Sequence, residues 1–319
     1  MTTRNGDHVD EILGEWRRVY PRVDASPIGI TGRVTRIALY SERNADDHLE
    51  RYRLTPSGFE VLLALQGSPS HQLSPTVLAR GQAMSSAGIT GLVDQLVALG
   101  LATRSREGHD RRRVQVSLTR QGSEMVVTAG GGWRQIQQQL VRSLGAHSVR
   151  SLDQLLGRLV TAIDAGFNGG SQNGTSHRMA RVALHINTEA ETVFSRFGTS
   201  HAGFQVLASL YRAGPPYRRS PSRVARGLML SGAGLTGRMD QLERLGLLKR
   251  DRDRHDRRAV VVELTPTGRG LVRAAFPVFV ASHAQLLAQA LEPAQQSALS
   301  ALLRRVLQQF ESAEPSGQA

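Results

Sequence analysis

Residues 85–122 read SSAGITGLVDQLVALGLATRSREGHDRRRVQVSLTRQG, and residues 231–268 read SGAGLTGRMDQLERLGLLKRDRDRHDRRAVVVELTPTG. Laid together at a shift of 146 residues, the two stretches are identical at 22 of 38 positions. Chance gives only a few matches, so the chain carries one sequence twice. The correspondence runs upstream: Ser74-Pro75-Thr76-Val77-Leu78-Ala79-Arg80-Gly81 aligns with Ser220-Pro221-Ser222-Arg223-Val224-Ala225-Arg226-Gly227 at the same shift. Gly58-Phe59 aligns with Gly203-Phe204 one residue out of register, which places a single insertion between them. Solenoid units repeat every 20 to 50 residues or so; a much longer period makes each copy a domain. The length of 319 residues agrees, allowing two domains of about 150.

Between the copies lies Gly166-Phe167-Asn168-Gly169-Gly170-Ser171-Gln172-Asn173-Gly174-Thr175-Ser176, a polar, glycine-rich stretch with a root-mean-square reach of roughly 18 Å if flexible. The expected division is a first domain over 1–165, a linker over 166–176, a second domain over 177–312 and a tail over 313–319.

Within each copy the apolar spacing predicts helices over 30–52 and 177–197, then shorter apolar helices over 57–66 and 202–211. Ser74 and Ser220, each followed by proline, fit N-caps of a third helix. A fourth helix is expected from Ser85 to Leu99 and from Ser231 to Leu245, ended by Gly100 and Gly246 in the left-handed conformation. After it, alternation in Val114, Val116, Leu118 and in Val260, Val262, Leu264 predicts a two-stranded hairpin with a basic tip. Helical patterns over 120–144, 146–165, 266–290 and 293–312 complete the copies. Gly130-Gly131-Gly132 and Phe276-Pro277-Val278 fall at matching places, and a kink or split is expected at each. The fold class is mainly α with small β wings: two winged helix-turn-helix domains, each flanked by dimerisation-type helices.

The wing text Arg104-Ser105-Arg106-Glu107-Gly108-His109-Asp110-Arg111-Arg112, its counterpart Arg250-Asp251-Arg252-Asp253-Arg254-His255-Asp256-Arg257-Arg258, the following Val-x-Val-x-Leu-Thr-x-x-Gly and the preceding Thr-Gly-x-x-Asp-Gln-Leu together resemble the MarR family of bacterial transcription regulators. The resemblance implies terminal helices that pair two copies, double-stranded DNA as partner, repression as the usual effect, and release by a small, often aromatic, ligand. With both copies on one polypeptide, it implies a covalently linked, intramolecular pseudo-dimer on a pseudo-palindromic operator.

Charge supports a polyanionic partner. There are 40 Lys plus Arg against 27 Asp plus Glu, a net +13. Eleven of the 40 basic residues lie in two ten-residue stretches, 104–113 and 249–258. The 20 basic and 16 acidic residues before Asn168 give about +4, and the 20 and 11 after it give about +9, so the halves are electrostatically unequal. Arg111, Arg112 and Arg113 in one wing, and Arg254, Arg257 and Arg258 in the other, are candidates for phosphate or minor-groove contact, with His109 and His255 beside them. Asp110 and Asp256 are candidates for holding an arginine and closing each hairpin. On the fourth helices Ser85, Ser86 and Thr90, and Ser231, Thr236 and Arg238, are expected to face DNA. Only Arg238 can make a bidentate guanine contact. Its counterpart is Leu92, where the family commonly has a polar residue, so reading is expected to be asymmetric.

Other classes fit poorly. The only lysine, Lys249, is followed by Arg250, which excludes a Walker phosphate loop. There is no cysteine, hence no disulfide, thiolate metal site or thiol switch. Gly232-Ala233-Gly234-Leu235-Thr236-Gly237 spells a dinucleotide fingerprint but follows a helical segment, and the first copy has Ser86 at the first glycine. No His-Glu-x-x-His or Gly-x-Ser-x-Gly occurs, so no enzyme, metal or cofactor is expected. Trp16, Tyr40, Tyr52, Phe59, Trp133, Phe204, Tyr211, Phe276 and Phe279 either line an effector pocket or fill the cores. The sequence predicts a soluble, cytoplasmic protein without a membrane partner. The competing reading is an architectural protein that binds DNA without regard to sequence.

Overall fold

The structure is a computed structural model, which describes residues 6–82, 84–106, 114–164, 174–252 and 260–313. Its elements in chain order are α1 (His8–Val19), α2 (Ser26–Leu49), α3 (Pro56–Gly67), β1 (Gln72–Leu73), α4 (Pro75–Gly81), α5 (Ser86–Ala98), β2 (Ala102–Arg106), β3 (Val114–Leu118), α6 (Arg120–Leu140) and α7 (Ala146–Ile163). The second copy repeats the order from α2 onward: α8 (Thr175–Ser195), α9 (His201–Arg212), β4 (Arg218–Arg219), α10 (Pro221–Leu228), α11 (Gly232–Arg244), β5 (Leu248–Arg252), β6 (Val260–Leu264), α12 (Pro266–Ala290) and α13 (Pro293–Ala313).

Two compact units form, and they cut across the chain order that the repeat suggests. One comprises residues 36–181. The other joins residues 1–35 to residues 182–319. Residues 1–35, expected in the first domain, thus pack with the second copy, while the start of α8 packs with the first. The physical reason is burial: segments at the N-terminal ends find their apolar and ionic partners in the other copy's unit.

In the unit formed by residues 36–181, α3 and α5 pack Phe59, Leu62 and Leu65 against Ile89, Val93 and Leu96, with Val116 of β3 and Trp133 of α6 closing the core. Here α8 also supplies Arg181, whose guanidinium donates to the carbonyls of Arg80 (2.8 Å) and Gly81 (3.0 Å) at the end of α4 and is held by Asp164 at 2.9 Å. In the other unit Phe204 stacks on Phe194 with centroids 3.9 Å apart, and Phe279 packs on Phe194 at a tilt with centroids 4.9 Å apart. Trp16 of α1 lies flat on Phe276 at 3.6 Å.

The wing sheets have three strands each, ordered β1-β3-β2 and β4-β6-β5, where the alternation had predicted two. The added strands are only two residues long, too short to show a period. Each follows a residue with positive φ, His71 at 53° and Tyr217 at 61°.

The Leu-Thr-x-x-Gly that ends each wing acquires a mechanical meaning. The Thr119 hydroxyl accepts the Gly122 N–H (2.9 Å) and donates to the Gly100 carbonyl (2.8 Å); Thr265 does the same with Gly268 (3.1 Å) and Gly246 (2.7 Å). One hydroxyl thus caps α6 or α12 and ties it to the turn after α5 or α11. Gly100 and Gly246, at φ 72° and 67°, make that turn, as the sequence predicted. Gly122 and Gly268 are glycines for a different reason: a Cβ there would overlap the carbonyl oxygen of Leu101 or Leu247.

Neither long helix is split at its expected breaker; α6 and α12 run through without interruption. In α6, Gly132 leaves room for the His48 ring, which donates through Nε2 to the Ala129 carbonyl at 3.0 Å. In α12, Pro277 has no N–H to give the Arg273 carbonyl, and the Tyr20 hydroxyl donates to that carbonyl instead, at 3.2 Å. By length and hydropathy α12 could cross a membrane, yet Val272, Ala275, Phe276, Phe279, Val280 and Leu287 are buried within the unit. That is a core helix.

Helix α1 was not foreseen. Asp7 and Asp10 form a reciprocal capping box at its start, and Val9, Leu13 and Trp16 face inward. Arg33 of α2, 1% exposed, donates to Asp7 through Nε (2.6 Å) and Nη2 (3.0 Å) and to Asp10 (2.6 Å); Arg304 of α13 reaches Asp10 at 2.7 Å. Breaking a buried pair strands a charge. Arg33→Met should therefore lower unfolding free energy by about 3–5 kcal/mol, measured by denaturant titration. Burial works against ionisation of Asp10, but hydrogen bonds from Arg304 and Arg33 outweigh it and hold its carboxyl at about 2. A carboxylate so depressed stabilises the fold above its unfolded value near 3.8, and the contribution fades as pH falls from there towards 2. Stability measured across this window should fall more steeply for the unaltered protein than for Asp10→Asn. Gly268→Ala should lower the melting temperature without changing helix content before the transition, because the added methyl meets backbone.

Candidate nucleic-acid interface

The two helix-turn-helix pairs are α4–α5 and α10–α11. In each, proline follows a serine N-cap: Ser74 accepts from the Val77 N–H and Ser220 from the Arg223 N–H. Fixed φ at the first position and a ready acceptor start both helices where the sequence placed them. Ile89, Val93 and Leu96 anchor α5, and Leu235, Met239 and Leu242 anchor α11, so register follows from the apolar stripe.

The opposite faces carry the residues singled out from sequence. Ser85, Ser86, Thr90, Ser231 and Thr236 are exposed. Ser85 and Ser231 precede the helices as N-caps, accepting from Gly88 (3.1 Å) and Gly234 (3.2 Å), which leaves each hydroxyl proton outward. The Thr90 and Thr236 hydroxyls donate back to Ser86 (2.8 Å) and Gly232 (2.9 Å), leaving a methyl and an acceptor oxygen outward. Arg238 differs from the expectation: it is half-buried at the border of the apolar face, and its counterpart Leu92 is buried in the core. The charge of Arg238 reaches His201 at the start of α9, whose ring burial keeps neutral down to about 4; Glu191 opposes that shift and Arg238 adds to it.

An arginine on the first wing strand fixes each of these helices, a feature missed in the sequence. Arg104 of β2 pairs with Asp94 at 2.7 Å and donates to the Thr90 carbonyl at 3.0 Å. Arg250 of β5 pairs with Asp240 at 2.6 Å and donates to the Thr236 carbonyl at 3.3 Å. The signal was available: Asp94/Asp240 and Arg104/Arg250 are identical in both copies. The sequence also offers Asp110 and Asp256 as arginine partners within the wings. Those two, with His109, Arg111, Arg112, Arg113, Arg254, His255, Arg257 and Arg258, lie outside the described residues.

Of the aromatic residues considered for an effector, Trp16 stacks on Phe276, Phe204 on Phe194, and Phe59 packs on Trp133 at 5.2 Å. They fill the two cores. The glycine motif at 232–237 begins α11 directly after α10, without the preceding strand a dinucleotide site needs. Among the described residues no group of three or more His, Cys, Asp or Glu side chains is placed to hold a metal ion.

The MarR family model matches at residues 54–113 and again at 197–259, covering both helix-turn-helix pairs and the first strand of each wing. The chain is 37% identical over 128 residues to the HTH-type transcriptional regulator PecS of Dickeya dadantii, covering 40% of this chain and 76% of that protein. It is 28% identical over 110 residues to the HTH-type transcriptional repressor YetL of Bacillus subtilis, covering 34% of this chain and 66% of that one. Among solved structures, AbsC, a MarR family transcriptional regulator from Streptomyces coelicolor, is 19% identical, covering 46% of this chain and 99% of that chain with a TM-score of 0.39. Identity to PecS over three quarters of that protein, and a family match at both copies, settle the assignment: this chain belongs to the MarR family, with its winged helix-turn-helix unit duplicated in tandem.

Proposed function

We infer that the protein is a sequence-specific DNA-binding transcription regulator in which the two copies act as a single-chain pseudo-dimer. The observation that carries this reading is the repeated clamp of Arg104 on Asp94 and of Arg250 on Asp240. Each clamp fixes an exposed, serine-capped helix beside a strand leading into an arginine-rich tip. A helix so held presents its first turn to a major groove while the basic tip neutralises backbone phosphate or enters the adjacent minor groove. Two such units suit half-sites about one helical turn, or 10 bp, apart. Fusion replaces a concentration-dependent pairing with an intramolecular one, at an effective concentration of order millimolar. Repression is the sense we propose, since a chain seated across two successive grooves excludes other proteins from them.

Selection from a random duplex pool tests the reading. A sequence-specific regulator enriches a common motif, whereas an architectural protein returns the pool unchanged. The clamp makes a second prediction. Both ion pairs are partly exposed, so Arg104→Ala and Arg250→Ala should each cost about 1 kcal/mol of stability or less. Yet each should weaken binding to the selected duplex at least tenfold, because the helix loses its fixed orientation. Equal, small effects on both quantities would remove the clamp from the account.

A further inference from the structure

The two helix-turn-helix pairs share a backbone and differ in free charge. Between residues 218 and 244 there are six arginines; over the corresponding residues 72–98 there is one, Arg80. Arg219 is neutralised by Glu15 of α1 at 2.6 Å. The guanidinium groups of Arg218, Arg223, Arg226, Arg238 and Arg244 have no ion-pair partner among the described residues.

Three of the five, Arg223, Arg238 and Arg244, occupy positions where the first copy is apolar, Val77, Leu92 and Ala98. Arg223, in the first turn of α10 and exposed, stands where Val77 leaves a side chain 52% exposed. Arg238 stands where Leu92 is 9% exposed and packed into the first core. The difference is built into packing. The first copy uses the second of these positions as core, and in the second copy Arg238 is half-buried at the border of the apolar face.

We propose that the second copy is the DNA anchor and sequence reader, with Arg223 and Arg238 as its distinguishing contacts, and that the first copy docks on a loosely specified half-site. The target is therefore an asymmetric duplex: one half-site with constrained base pairs, the other tolerant of substitution. This rests on the reading of the protein as a DNA-binding regulator. Each arginine that neutralises a phosphate contributes about 0.9 to the slope of log affinity against log salt. An arginine on a guanine edge instead relaxes specificity at one position when removed.

The test uses the full chain and the duplex recovered by selection. Arg223→Val with Arg238→Leu gives the second copy the residues of the first, and Leu at 238 suits a border already filled by leucine in the other copy. The comparison variant is Arg80→Ala in the first copy. Circular dichroism and thermal melting confirm that both are folded. The double variant should lose at least tenfold in affinity, lower the salt slope by one to two, and flatten base preference in one half-site only; Arg80→Ala should change the slope by one at most and leave base preference intact. Two equally constrained half-sites, or a loss for Arg80→Ala matching the double variant, would overturn the asymmetry while leaving the functional reading standing. No binding of the unaltered chain to any duplex would overturn that reading, and the asymmetry with it.

Discussion

In both copies an arginine from the first wing strand reaches across to the helix that precedes it, binding the same aspartate and the same backbone carbonyl. The pair sits near the surface, where ion pairs are worth about 1 kcal/mol or less, so it contributes little to holding the fold together. Stability resides beneath it, in the stripe of Ile89, Val93 and Leu96 and its counterpart Leu235, Met239 and Leu242, each side chain contributing about 1.5–3 kcal/mol on burial. The apolar stripe decides that the helix packs and which face turns outward, and the clamp ties that helix to the first wing strand. The threonine at the far end of the wing performs the complementary task, joining the turn after the helix to the helix that follows the sheet.

Duplication preserved this machinery and let its surroundings diverge. Helix α1 has no counterpart in the second half of the sequence, and it packs in the unit that contains the second copy. There Glu15 bridges Arg212 (3.0 Å) and Arg219 (2.6 Å), and the two arginines hold its carboxyl below the usual range despite burial. The first copy has Gly67 and Leu73 at those positions and needs no such neutralisation. Arg33 and Arg178 occupy equivalent places in α2 and α8, yet Arg33 pairs with Asp7 and Asp10 of α1 and Arg178 with Asp153 of α7. The same cation was retained in each copy while its counter-charge moved to a different helix.

Much of this was legible because the chain states its domain twice. Caps at Ser74 and Ser220, and the turns at Gly100 and Gly246, depend on local chemistry, and local chemistry is written in order along the sequence. Helix α1 was missed because comparison of the copies is blind to a segment that occurs once, although Val9, Leu13 and Trp16 carry helical spacing. A split of α6 or α12 was expected because the breaker rule counts what glycine and proline remove. It cannot see His48 entering the gap at Gly132, or Tyr20 supplying the hydrogen bond that Pro277 withholds. The composition of the two units was beyond reach for the same reason: which helix covers which apolar face is settled by contacts far apart in sequence. At the candidate interface, exposure of the serines and threonines followed from the apolar stripe, while the border position of Arg238 required knowing that Leu92 is core.

The claim on which the account turns is that one polypeptide, carrying both copies, suffices to fill both half-sites. Sedimentation of the chain at nanomolar concentration with a duplex carrying both half-sites measures this directly. The account predicts one chain per duplex, with protection extending over both half-sites and an affinity independent of any prior self-association. Two chains per duplex, or binding that appears only at concentrations where the chain dimerises, would contradict it.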